Sequence, residues 1–240
     1  MRLATAKRGG VTVTRVEIAR EGLARPRGRY VTLEMPSVSV LDERDTDVIE
    51  TGAAELRALL PPEGPVLVLG IGNRRVTADA LGPRTAQKIL VTMGPQHTLP
   101  VRGIRPVAAL APGVSGDTGL TLRQLAAAMV DAVRPAALIC VDSLCSAEAA
   151  RLGRTIQFSD TGLHPADARH ARHLDAAALG VPVIAAGIPT LMDADEGADL
   201  VLTPRALDSV IAHGSALLAG ILNRALQPRL SVAQLCWLTG

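Results

Sequence analysis

Between Pro65 and Leu90 the chain reads PVLVLGIGNRRVTADALGPRTAQKIL, and no other stretch limits the fold so tightly. Val66 to Leu69 is a continuous apolar run stopped by Gly70 and Gly72, the pattern of a strand buried on both faces and ended by a tight turn. A polar loop with Asn73, Arg74, Arg75, Thr77 and Asp79 follows, and Pro83 fits the first turn of the next helix. Open parallel sheets place their ligand crevices beyond such strand ends. Asp79 therefore has two readings, a helix cap or a chemical group in a crevice.

A second acid sharpens that choice. The apolar run Ala137 to Val141 ends directly in Asp142, and Ser143 to Arg151 reads as helical. Two aspartates at the same end of neighbouring parallel strands can converge, and close carboxylates resist double ionisation, so one retains its proton.

The rest of the chain alternates strand and helix, as a doubly wound sheet requires. Val11 to Ile18 and Tyr30 to Met35 alternate apolar and polar residues, which suits strands with one wet face, a hairpin flanking the main sheet. Thr46 to Leu60 has helical spacing and stops at Pro61-Pro62. Further strands are expected at Ile104 to Leu110, Thr155 to Phe158 and Val181 to Ala186. Helices are expected at Thr121 to Val133 and from Thr203-Pro204 through Leu222. The fold class is α/β, a mostly parallel twisted sheet with helices on both faces. With no repeat or linker, the 240 residues read as one domain, residues 1–45 forming N-terminal strands or a pro-segment packed on a 46–240 core. APGVSGDTG (Ala111 to Gly119), SDTGLHP (Ser159 to Pro165) and GIPTLMDAD (Gly187 to Asp195) follow strand ends and are expected, with the two aspartate loops, to floor a cleft.

Composition excludes several functions. At 48% hydrophobic content the chain has a real core, and a net charge of +2 with 25 scattered basic residues gives no stripe for nucleic acid. Aromatic residues at 1% leave no base-stacking platform. No apolar run approaches a membrane span, the basic N-terminus lacks a signal-peptide core, and Cys140, Cys145 and Cys236 have no metal-ligand spacing. The expected setting is cytoplasmic, with reduced thiols.

Three signals point elsewhere and are set aside. Asp117-Thr118-Gly119 and Asp160-Thr161-Gly162 repeat the pepsin triplet, but pepsin-like enzymes are all-β and this chain is not. His164, Asp167, His170 and His173 are close in sequence, yet Arg169 and Arg172 interleave them, so the stretch reads as a solvated helix face; only His164, nearest a strand end, is kept as a cleft residue. The Gly70 to Asn73 turn carries Arg75 where a dinucleotide fingerprint needs its third glycine.

Taken together, GIGNRRVTADALGP (Gly70 to Pro83), APGVSGDTG, ICVDSL (Ile139 to Leu144), IQFSDTGLHP (Ile156 to Pro165), GIPTLMDA, the tail from Val201 to Pro228 and the N-terminal RYVTLEMP resemble the germination proteases of spore-forming bacteria. The resemblance implies a fold like the hydrogenase maturation proteases, an atypical aspartic endopeptidase whose essential pair matches Asp79 and Asp142, and no cofactor. It also implies small acid-soluble spore proteins as substrates, an inactive zymogen, and a homo-oligomer, with a tetramer suggested, in the spore core. Substrate contacts are assigned to Asn73, Arg74, Arg75, Thr77, Asp160, Thr161, His164 and Thr190. The family cuts after glutamate, for which Arg74 and Arg75 are the basic candidates. Glu17-Ile18-Ala19-Arg20-Glu21 resembles the family's recognition sequence, either as a self-processing site or as the end of a strand. PADARHARH (Pro165 to His173) and the short stretch from Asp195 to Val201 depart from the family pattern. The rival readings are a metal-assisted maturation-type protease using Asp79, Asp142 and His164, and a catalytically silent homologue that binds spore proteins.

Overall fold

A computed structural model describes residues 1–20, 25–94, 103–164, 173–193 and 201–239. In chain order the elements are β1 (Arg2–Arg8), β2 (Val11–Ile18), β3 (Gly28–Glu34), α1 (Thr46–Leu59), β4 (Val66–Gly70), α2 (Leu81–Ala86), β5 (Val107–Leu110), α3 (Ser115–Thr118) and α4 (Leu122–Val133). They continue with β6 (Ala137–Cys145), β7 (Thr155–Ser159), α5 (Ala176–Leu179), β8 (Val183–Asp193), β9 (Val201–Leu202), α6 (Leu207–Leu226) and α7 (Val232–Thr239).

The strands form a single sheet in the order β1-β2-β3-β7-β8-β6-β4-β5, with β9 pairing β8. One half, β8-β6-β4-β5, is parallel, and β7, β3, β2 and β1 extend it antiparallel. The pleat divides the core. Val66, Val68, Ile139 and Val141 face α1 and α6, while Leu67, Leu69, Leu138 and Cys140 face α4. Each β4 residue is thus buried on one side or the other, which is why this strand shows no alternation.

Several expectations change. Ser143 does not open a helix: β6 continues to Cys145, since β8 offers it a parallel partner as far as Leu191, and only Ala149–Arg151 coils, as a 3₁₀ turn. GIPTLMD is not a loop for the same reason, being the second half of β8. The last helix begins at Leu207 rather than beside Pro204. β1 and α7, neither of them anticipated, add an exposed edge strand and a short terminal helix. By length and composition α6 does reach the threshold for a membrane span, contrary to expectation; Leu217, Leu218, Ile221 and Leu222 are fully buried, so its apolarity matches its place at the centre of the core.

The N-terminal strands are continuous with the sheet. Tyr30 to Glu34 pair with Ser159 to Thr155, and Val11, Val13, Val31 and Leu33 join the core of α1 and α6. Glu17 and Ile18 end β2, Glu17 lying between Arg2 of β1 and Arg29 of β3, with Ile18 buried.

Candidate functional site

Asp79 closes a 3₁₀ turn, Thr77–Asp79, that the chain reaches by doubling back over the end of β4. Gly72 makes that return possible: its φ is +123°, and a Cβ there would lie 2.1 Å from the Asp79 carbonyl oxygen. The Asn73 N–H then donates to Asp79 Oδ2 at 2.6 Å, and the Asn73 side-chain oxygen accepts from the Arg75 N–H at 2.9 Å, which holds the loop shut. From β8, the buried Thr190 hydroxyl donates to the Ala78 carbonyl at 2.8 Å, tying the turn to the sheet.

Asp142 lies inside β6, opposite Gly187 of β8, rather than in a loop. Its Oδ1 accepts from the Ser143 N–H at 2.8 Å. The pleat turns Asp142 to the α4 side of the sheet, two residues beyond Cys140 on the same face. Burial, and secondarily the charge of Asp142, push the Cys140 thiol well above its ordinary range, so this sulfur stays protonated and inert. The neighbouring Ser143 Oγ is buried and has no hydrogen-bond partner among the described residues.

The two acids, 63 positions apart in sequence, line one cavity of about 110 Å³, together with Ile71, Gly72, Val114, Ser115 and Leu163. Both are part-buried. A space of that size takes several waters. Val114 and Ser115 roof it from the α3 segment, and Arg75 reaches across to Asp117 of that segment at 3.8 Å.

The other expected site residues divide into groups. Asn73, Thr77 and Thr190 build the Asp79 turn, while Arg74 and Arg75 are exposed on its outer side. Asp160, Thr161 and His164 do not join the acid pair in one cleft floor. β7 runs antiparallel to β8, so its carboxyl end lies at the opposite end of the strands from those of β4, β6 and β8. There Asp160 is taken up by Arg29, whose Nε and backbone N–H each donate to it at 2.7 Å. Thr161 and His164 line a separate groove, with His164 Nε2 on the Thr161 carbonyl at 2.8 Å and its ring edge-on to His173, centroids 5.1 Å apart. Asp167, His170 and Asp195 lie outside the described residues. Among the described residues no three His, Cys, Asp or Glu side chains group closely enough to hold a metal.

Sequence reasoning had flagged the APGVSGDTG loop without resolving Val114 and Ser115 as the roof, and it gave Leu163 no role. An apolar residue inside a polar loop was the available signal for Leu163, which packs in the core beneath α4.

A family model described as germination protease matches residues 1–196. The germination protease of Clostridium perfringens (strain SM101) is 32% identical over a 278-residue alignment covering 92% of this chain and 86% of that one. Those of Bacillus velezensis and Caldanaerobacter subterraneus are 37% and 40% identical, over 86% and 77% of this chain and 58% and 61% of theirs. Among solved structures, the NiFe hydrogenase maturation protease HycI from Thermococcus kodakarensis is similar with a TM-score of 0.46 and 16% identity, covering 72% of this chain and 98% of that one.

Proposed function

This chain belongs to the germination protease family and is a peptidase, and from that premise we propose that it begins the breakdown of small acid-soluble spore proteins at germination, hydrolysing their peptide bonds with Asp79 and Asp142. The observation that carries the reading is that these two carboxylates line one cavity at the carboxyl end of the parallel strands. The proposal extends to synthesis as a zymogen, assembly as a homo-oligomer and action in the spore core, all three resting on the family.

In the proposed reaction one aspartate is ionised and the other protonated, as a close pair of carboxylates favours. The ionised carboxylate takes a proton from a water whose oxygen bonds to the scissile carbonyl carbon. Its partner donates a proton to the carbonyl oxygen as negative charge develops there. Collapse of the tetrahedral intermediate breaks the C–N bond: the departing amine takes the proton held by the first aspartate, and a hydroxyl of the intermediate returns its proton to the second, which restores the starting pair. The Asn73 N–H on Asp79 Oδ2 and the Ser143 N–H on Asp142 Oδ1 each hold one carboxylate in place for this work. Proton transfer of this kind is worth about 10²- to 10⁴-fold, so fixing and desolvating the peptide must supply the rest.

Asp79→Asn and Asp142→Asn keep the shape and an accepting oxygen. Each is expected to lower kcat on a purified small acid-soluble spore protein by about 10²-fold or more, with the circular dichroism melting curve unchanged. Cleavage at near wild-type rate by both variants would refute the assignment.

A further inference from the structure

The glycines around the acid pair are of two kinds. Those in the strand end and turn that carry Asp79 are packed: a Cβ at Gly70 or Gly82 would lie 2.2 Å from a backbone oxygen, so the chain there is held by close approach. Those above the cavity are not. Gly113 and Gly119 adopt φ of +78° and +70°, yet a Cβ at Gly113 would come no nearer than 3.7 Å to a non-neighbouring atom, and one at Gly119 would meet nothing within 4 Å. Open space around a left-handed glycine lets its dihedrals turn without a clash.

The roof, α3 with Val114 before it, stands between these two glycines. Its hydrogen bonds are its own: the Asp117 and Thr118 N–H groups donate to the Val114 carbonyl at 3.0 and 3.2 Å, and the Gly119 N–H donates to the Ser115 carbonyl at 2.9 Å. Among the described residues no hydrogen bond ties residues 112–119 to another element. The roof is joined across the cavity by the Arg75–Asp117 pair at 3.8 Å, which is exposed on both sides, and Ser115 to Gly119 are themselves exposed. The flanks are fixed, since Leu110 pairs with Leu69 in the sheet and a capping box at Thr121 anchors α4.

We propose that α3 is a hinged lid over the acid pair. It swings on Gly113 and Gly119 so that a polypeptide can be laid across Asp79 and Asp142, then closes to bring Val114 and Ser115 over the bond under attack. Closure fixes the peptide and excludes bulk water, the contributions that proton transfer alone leaves to be supplied. Arg75 and Asp117 form the latch. A solvated pair favours the closed state over the open one by no more than about fivefold, weak enough to break and re-form in every turnover. The lid's role in turnover rests on the reading of Asp79 and Asp142 as catalytic acids, whereas its motion does not.

Two measurements separate motion from role. Motion is read by pulsed dipolar electron paramagnetic resonance between nitroxides at Gly116→Cys on the roof and Asp131→Cys near the end of α4, with Cys145→Ser and Cys236→Ser removing the other accessible thiols. Both labelled positions are exposed, and a Cβ at Gly116 meets nothing within 4 Å. Two distance populations are expected, the smaller growing by up to about fivefold when Asp117→Asn removes the latch. A single distribution in both proteins would overturn the lid, and two populations in unchanged proportion would overturn the latch. Role is read by tethering. In the same thiol-replaced background, Val76→Cys and Asp117→Cys, both exposed, are joined by a reducible bis-maleimide. The linked protein is expected to cut a purified small acid-soluble spore protein about tenfold more slowly, or worse, than the same protein with both thiols capped by N-ethylmaleimide, and to recover when the linker is reduced. Equal rates in linked and capped protein would overturn the gating role. Failure of the acid-pair reading shows separately, as turnover that survives Asp142→Asn while the two distance populations stand.

Discussion

At the scale of single residues, the position of Asp79 depends on Gly72. An alanine there would need a left-handed backbone and would drive its methyl into the Asp79 carbonyl and carboxylate, 2.1 and 2.9 Å from where a Cβ would sit. Gly72→Ala is therefore expected to cost about 2 kcal/mol or more in urea unfolding, and to reduce peptidase activity beyond what the loss of folded protein explains. Cys140 makes a second residue-scale prediction, with a definite sign. Its folded-state pKa is raised by burial, so above the ordinary thiol value the unfolded chain ionises while the folded chain cannot. Stability from this group is complete below about pH 8.5 and falls by up to about 1.4 kcal/mol per pH unit above it. Urea titrations between roughly pH 8 and 10 should show a shallower alkaline decline in Cys140→Ala, whatever that variant loses at neutral pH. Native protein treated with a thiol reagent should be labelled at the exposed Cys145 and not at Cys140 until it unfolds.

At the scale of elements, α4 shows how local chemistry sets a boundary. The Thr121 hydroxyl accepts from the Gln124 N–H at 3.2 Å and the Gln124 side chain accepts from the Thr121 N–H at 2.9 Å, a complete capping box. Thr121→Ala is expected to destabilise the protein by about 1 kcal/mol, read from the shift in thermal midpoint. Leu122 follows directly and lines the acid cavity, so the cap fixes one wall of the site. By contrast, the Arg75–Asp117 pair across the roof is exposed, and its contribution to stability is expected to be too small to measure. The antiparallel flank is held to α1 by Arg15, whose Nε donates at 2.6 Å to the carboxylate of the buried Glu55. Arg15 is itself partly exposed, so the pair lies between a surface and a buried ion pair in strength.

For the whole molecule, α6 joins parts of the chain that never meet in sequence. The buried Gln227 beyond its end accepts from the Arg105 N–H at 3.0 Å and donates to the Arg105 carbonyl at 2.8 Å, holding the chain just before β5. Asn223, one turn earlier, does the same for Leu90 and Lys88 beyond α2. Gln227→Ala leaves both Arg105 backbone groups without these partners and is expected to cost about 2 to 3 kcal/mol in thermal or urea unfolding. Neither amide carried a signal in the sequence, because a polar residue near a helix end reads as solvated until the segment it meets is known.

The sequence by itself determined the elements whose burial pattern is local. β2 and the apolar run of β4 appear where alternation and apolarity put them, and α1 and the capped α4 do so nearly to the residue. It also determined the family, through short motifs in a fixed order. Tertiary structure alone decided that β6 and β8 run on past their apolar cores, since a strand continues wherever a partner offers backbone hydrogen bonds, and residue type does not record that partner. It decided likewise that β7 is antiparallel and carries Asp160 away from Asp79 and Asp142, because strand direction follows from chain connection across the whole sheet.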